Sequence, residues 1–166
     1  MIKHQMKFLS GQEEIEAINY FNEAAKTALN STCLKSRCGS IIVKGNEIIG
    51  SGFNSPPKNL ESQRRCGQDK QKLHAKVTDK TCCMHAEERA IIDALIKNAG
   101  KILESRLYFA RLDKEGNLAK AGKPYCTICS KLALDVGISE FILWHENGIC
   151  VYNTEEYNKI SYQYQD

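Results

Sequence analysis

The chain has 166 residues, 42% of them hydrophobic, with 23 Lys+Arg against 20 Asp+Glu and a net charge of +3. That composition suits one compact globular domain able to bury roughly 70% of the surface its unfolded chain exposes, and it excludes a disordered or collagen-like chain. The balance is also far from that of a dedicated nucleic-acid binder, so the eight cysteines stand out as the unusual component.

A disulfide scaffold is typical of short secreted chains, but the start Met1-Ile2-Lys3-His4-Gln5-Met6-Lys7-Phe8-Leu9 has no apolar signal-peptide core. No stretch reaches the roughly 18 apolar residues of a membrane span. The expectation is a soluble, cytoplasmic protein whose closely spaced cysteines bind metal or pack as small hydrophobes.

In chain order, Ser10-Gly11-Gln12-Glu13 has the pattern of a capping box, and apolar residues at Ile15, Ile18, Phe21, Ala25, Ala28 and Leu29 predict an amphipathic helix ending near Asn30. Gly39 to Val43 and Ile48 to Phe53, joined through Gly45-Asn46, predict a β-hairpin stopped by Pro56-Pro57. Residues 58–80 are an aperiodic insert with seven cations and three acids, so its +4 exceeds the charge of the whole chain. A helix with Ala86, Ala90, Ile91, Ala94 and Leu95 inward closes at Gly100. Then come a strand from Arg106 to Leu112, a polar loop, a helix from Pro124 to Val136, and strands at Glu140–Glu146 and Ile149–Asn153 joined by Asn147-Gly148. Residues 154–166 read as a polar, Tyr-rich tail. The order predicts a single α/β domain over 1–166, a five-stranded mixed sheet between helices.

Two stretches carry the chemistry: Cys82-Cys83-Met84-His85-Ala86-Glu87 and Pro124-Tyr125-Cys126-Thr127-Ile128-Cys129, each opening a helix. Cys126 and Cys129, three apart on a first helical turn, can pinch one ion, and two helix starts favour thiolates. His85 is the third donor, and three protein ligands leave a tetrahedral zinc one open position for a water whose pKa falls toward roughly 7. Glu87 is then a carboxylate beside the metal that takes the water's proton and passes it to a ring nitrogen and a leaving amine. The chemistry is hydrolytic deamination. The competing reading is a closed structural zinc knuckle with Cys83 as the fourth ligand, in which Glu87 has no task.

The H-x-E stretch followed by P-x-C-x-x-C resembles the zinc-dependent cytidine and deoxycytidylate deaminase superfamily, in which H-x-E is followed by P-C-x-x-C. The run Cys38-Gly39-Ser40-Ile41-Ile42-Val43 through Gly50-Ser51-Gly52-Phe53-Asn54-Ser55-Pro56-Pro57 looks most like the deoxycytidylate branch, whereas the Asn147-Gly148 hairpin looks like the free-cytidine branch. The resemblance implies a three-layer α-β-α cytidine-deaminase-like fold and a homo-oligomer. It also implies catalytic zinc on His85, Cys126 and Cys129, with Glu87 as proton carrier. Asn54 would then meet the substrate sugar and the Ala86 backbone the base edge. Arg64 and Arg65 suit a phosphate. Cys66 and His74, with Cys33 or Cys38, make a candidate second, structural zinc site of the kind some deoxycytidylate deaminases carry in a comparable insert; unligated thiols and a surface His are the alternative. Cys82, Cys83 and Cys150 default to packing.

The substrate expected is a nucleoside or mononucleotide such as cytidine, deoxycytidine or dCMP, with no membrane partner. A polynucleotide substrate and a zinc-stabilised module without activity are the alternatives. Two departures from the family pattern stand out: Tyr125 separates Pro124 from the first Cys, and the loop from Asp113 to Lys123 is long.

Overall fold

The computed structural model describes residues 6–165; Met1–Gln5 and Asp166, which the sequence reading places in the chain start and the tail, lie outside the described residues. The elements run β1 (Met6–Phe8), α1 (Gly11–Ala28), β2 (Arg37–Lys44), β3 (Glu47–Phe53), α2 (Ala86–Asn98), β4 (Arg106–Leu112), β5 (Leu118–Ala119), α3 (Thr127–Asp135), β6 (Glu140–His145), β7 (Gly148–Asn153) and α4 (Thr154–Ser161). One mixed sheet in the order β1-β7-β6-β4-β2-β3, with β5 hydrogen-bonded to β4, forms the middle layer. It has seven strands where five were expected. The additions are a three-residue edge strand pairing Met6 with Tyr152 and a two-residue return of the long loop onto Leu112, both too short to show alternation.

Side-chain alternation divides the core between the two faces. Ile41, Val43, Tyr108, Ala110 and Ile142 pack on α1 through Ala17, Phe21 and Ala24. Their neighbours Ile42, Leu107, Phe109, Phe141 and Leu143 face the opposite layer, with Ala90, Ile91 and Ala133. β4 and β6 are parallel, whereas β6 and β7 are antiparallel as predicted, but the turn residues are Glu146 and Asn147, one position earlier than expected, because Gly148 already pairs with His145.

Three local readings change. Ser10 is the N-cap of α1 but makes no side-chain capping bond, because Gly11 turns the chain at φ 58° and Glu13 pairs with Lys7 at 2.6 Å instead. The helix expected from Pro124 begins at Thr127, so Tyr125 lies in the turn before it. The supposed tail forms α4, started by Asn153, whose Oδ1 accepts from the N–H groups of Glu155 and Glu156. Buried Tyr157 then stacks on Phe141 with ring centroids 4.0 Å apart. The sequence signal was the Asn followed three residues later by Glu156.

α2 lies directly on β3. A Cβ at Gly52 would stand 2.5 Å from the Ala86 carbonyl oxygen and 2.5 Å from the Ala90 nitrogen, both of them helix backbone. Gly52→Ala is therefore expected to destabilise the protein by about 3 kcal/mol or more, since backbone cannot yield as a side chain does. Urea unfolding measures it, and a loss under about 0.5 kcal/mol would show that the helix can lift away.

Candidate functional site

Two helix starts meet above the carboxyl end of this small-residue contact. His85 is the N-cap of α2, and Glu88 closes the first turn by accepting the His85 N–H at 2.8 Å. Met84 bonds to the Ser55 carbonyl at 2.9 Å, tying the helix entry to the end of β3. Cys126 is the N-cap of α3, its sulfur accepting from the Cys129 N–H at 3.3 Å. His85 Nδ1 lies 3.1 Å from Cys126 Sγ and 3.2 Å from Cys129 Sγ.

This cluster fits zinc by donor chemistry and by spacing. Zn–S near 2.3 Å and Zn–N near 2.0 Å at a tetrahedral angle separate nitrogen from sulfur by roughly 3.5 Å, within half an ångström of the arrangement here. The protons are disposed as in a site that a cation can take over. The Cys126 thiol is held down at about 5 by hydrogen bonds from Cys129 and His85, while Cys129 is pushed up by sharing its proton with Cys126 and by burial. The Cys126 hydrogen bond raises His85 to about 9.

Glu87, on the first turn of α2, is only 6% exposed and lines the same cavity as His85, Ala86, Asn54, Phe109 and Tyr125. Burial, helped by the neighbouring Cys126, raises its carboxyl to about 7. A buried carboxyl beside three metal-type donors can hold and release a proton near neutrality. Ala86, 1% exposed, sits between His85 and Glu87.

Asn54 lines the cavity, but its side chain is engaged within the protein. Oδ1 accepts from Cys38 N–H at 2.8 Å and Ser31 Oγ–H at 2.6 Å, and Nδ2 donates to the Ser36 carbonyl at 2.8 Å. It thus pins the loop before β2 to the end of β3. Arg65 borders the cavity with Lys35, Lys70 and Lys80. Arg64 does not: it is paired with Glu61 at 2.6 Å, and its Nη1 donates to Cys66 Sγ at 3.3 Å.

The candidate second metal set is only partly brought together. Cys38 lies apart, its sulfur 3.7 Å from Ser36 Oγ and its thiol facing Glu87 and Arg111. His74 is exposed, and its Nδ1 accepts the Lys76 N–H at 3.0 Å within a turn of the insert. Neither belongs to the cluster that forms. Cys66, Cys82 and Cys83 instead place their sulfurs within 4.8 Å of one another, and Cys33 adjoins Cys83, helping burial to raise its thiol. Cys82 and Cys83, read from sequence as packing residues, are the missed members. The signal was their adjacency, which puts two thiols at the end of the insert facing Cys66 at its beginning. This places Cys83 away from the His85 cluster, which removes the closed-knuckle arrangement. Arg65 N–H donates to Cys82 Sγ at 2.9 Å, and Cys66 Sγ lies 3.7 Å from Cys82 Sγ.

Residues 14–145 match the family model described as the cytidine and deoxycytidylate deaminase zinc-binding region. The deoxycytidylate deaminase of Saccharomyces cerevisiae is 30% identical over 156 residues, 85% of this chain and 44% of the relative. That of Schizosaccharomyces pombe is 34% identical over 88 residues, 46% of this chain and 25% of the relative. The chain thus spans less than half the length of the curated relatives it matches. Among solved structures, the dCMP deaminase from cyanophage S-TIM5 in complex with dCMP and dUMP aligns with a TM-score of 0.53 at 22% identity, covering 80% of this chain and 82% of that one. A cytidine deaminase from Burkholderia pseudomallei aligns with a TM-score of 0.53 at 15% identity, covering 90% and 96%. These likenesses establish the shared fold.

Proposed function

This chain belongs to the cytidine and deoxycytidylate deaminase zinc-binding family, and from that premise we propose that it is a zinc-dependent hydrolase converting the cytosine moiety of a mononucleotide, dCMP foremost, to uracil with release of ammonia. The observation that carries the reading is buried Glu87 on the cavity wall next to His85, whose ring nitrogen clusters with the Cys126 and Cys129 sulfurs. His85, Cys126 and Cys129 would hold the ion, and bound zinc supplies the Lewis acidity that makes water nucleophilic at neutral pH. Glu87 receives one proton of the attacking water and delivers it to the ring nitrogen, then takes the second from the hydroxyl left on the ring carbon and delivers it to the departing amine. Water and the cytosine ring thereby give uracil and ammonia with protons balanced. Glu87 is only 6% exposed, so its proton meets little bulk water between transfers.

A nucleotide is favoured over a nucleoside because Lys35, Arg65, Lys70 and Lys80 border the cavity, where Glu87 is the one acid lining it among the described residues. Four cations around an opening suit a 5′-phosphate. The phage relative solved with dCMP and dUMP supports the same choice. On this reading Arg65 contacts phosphate, Arg64 acts only through Cys66, and Asn54 shapes the sugar-facing loop.

We further infer a second, structural zinc on Cys66, Cys82 and Cys83 with Cys33 as the fourth ligand. All four line the cavity, so this ion would brace the wall that carries Arg65. All eight cysteines are free thiols, which fits a reducing cytoplasm. No helix among the described residues is long and apolar enough to cross a membrane. Ile92, Ile96 and also Leu95, which was expected to face inward, are exposed along α2 and support a homo-oligomer.

Four outcomes are expected. Glu87→Gln loses about 10³-fold in kcat while keeping its zinc, and the wild type prefers dCMP over deoxycytidine by about tenfold or more in kcat/KM. Ammonia release with each substrate tests both, and a fully active Glu87→Gln, or faster turnover of a single-stranded oligonucleotide than of any mononucleotide, contradicts the reading. Metal analysis finds about two zinc ions per chain, falling to about one in Cys82→Ser; a wild-type value of about one removes the second site. Light scattering gives a solution mass that is a multiple of the 18.7 kDa chain, and a monomer refutes the homo-oligomer.

A further inference from the structure

The proton-transfer scheme leaves unused the residue that sets this chain's motif apart, Tyr125, which separates Pro124 from Cys126. We propose, on the basis of the deaminase reading, that Tyr125 contacts the substrate by donating its phenolic hydrogen to an oxygen of the bound nucleotide, and that Arg111 is the positioning residue that aims it.

Tyr125 lines the cavity with Glu87, His85, Asn54 and Phe109, and the residue is 47% exposed, an open placement for a large aromatic beside a buried cluster. Its oxygen accepts a hydrogen bond from Arg111 Nη2 at 3.1 Å. A guanidinium only donates, so this bond occupies a lone pair of the phenol and leaves the phenolic hydrogen for another acceptor. The ring is steadied a second time by Tyr164, edge-on with centroids 5.9 Å apart.

Arg111 is well placed to hold that geometry. It lies on β4 opposite Cys38 of β2, its guanidinium stands 6.0 Å from the centroid of the Phe109 ring, and the Cys38 thiol adjoins it. The contact therefore runs from the middle of the sheet to the turn that carries the first cysteine of α3. Phosphate, sugar and base carbonyl all present oxygen acceptors, and the choice among them is read by comparing substrates with and without the phosphate.

The test uses the zinc-loaded full chain. Tyr125→Phe is expected to raise KM for dCMP by about tenfold with kcat within about twofold, and to weaken dUMP binding in calorimetry by the same factor, with zinc content unchanged. A penalty confined to dCMP assigns the phosphate as acceptor, and an equal penalty with deoxycytidine assigns the sugar or base. Arg111→Met is expected to reproduce the KM effect, the double variant to be no weaker than the worse single one, and Arg111→Lys to recover part of the loss. Should Arg111→Met fail to fold, Arg111→Lys combined with Tyr125→Phe gives the same coupling. An unchanged KM and dUMP affinity in Tyr125→Phe, with wild-type protein active, overturns the inference alone. Effects of the two substitutions that simply add overturn the role of Arg111. A wild type that deaminates no cytosine compound overturns the deaminase reading and this inference with it.

Discussion

The absence of side chains between α2 and β3 governs where the functional groups lie. Gly50 and Gly52 present bare backbone to the helix, and Cβ atoms there would stand 2.5 Å from the carbonyl oxygens of Ala90 and Ala86. The facing helix positions are Ala86, Ala90 and Ala94, a row at the i, i+4 spacing, all buried. Small residues on both sides bring the axis of α2 close to the sheet, and close packing leaves it no slack. His85 and Glu87 flank the first of those alanines, so both inherit a position that the glycines set. Gly39 plays the matching part on the other face, where its hydrogen meets the backbone of α1 at Ala24 and Ala28.

Burial of Glu87 is costly, and the surroundings show how that cost is met. An ionised carboxylate out of water needs nearby positive charge or a proton. Here the start of α2 supplies the partial charge of its free N–H groups, and His85 draws the Glu87 pKa down against burial and Cys126. α3 contributes likewise to its own N-cap thiol. A divalent cation on two thiolates and a neutral imidazole would leave the donor set near electroneutral, so the remaining carboxylate would sit beside a balanced centre instead of a negative one. The same low-dielectric surroundings that make the group expensive are what keep a transferred proton local.

Much of this was legible in the residues. The layers, the inward faces and the antiparallel final strands follow from alternation, helical spacing and one Asn-Gly turn, which are local signals. The grouping of His85, Glu87, Cys126 and Cys129 was legible because they come in short spacings, two apart at His85 and Glu87 and three apart at Cys126 and Cys129, each tied to a helix start. The thiol cluster of the insert was not, because Cys66 and Cys82 are separated by fifteen residues without periodicity, and their meeting depends on how the loop folds back. Cys38 looked equivalent to Cys33 in sequence, yet it lies on β2, where strand alternation turns it to the α2 face. β1 and β5 escaped notice because two or three residues carry no period. α4 escaped because its apolar content is low, and its burial rests on Tyr157 and an Asn cap.

Substrate signals that pull apart in the sequence become compatible once the parts are placed. The direction of β7 is decided by the length of its connection to β6, a two-residue turn that admits only an antiparallel return. That return carries the chain to α4, which packs against α3, and on to Tyr164 beside Tyr125. The end of the chain thus contributes aromatic walls near the metal-type donors. The cations bordering the cavity come from elsewhere, Lys35 before β2 and Arg65, Lys70 and Lys80 from the insert. Strand direction at one end of the sheet and charge in a loop at the other are separately encoded. A hairpin closure of the free-cytidine kind therefore sets no limit on recognition of a phosphate. The relevant quantity is the local charge: the +4 of residues 58–80 stands on a body that is otherwise slightly negative. Fields of that kind act over about 10 Å at 0.1 M salt, enough to span the opening and too short to make the whole surface attractive to a polymer.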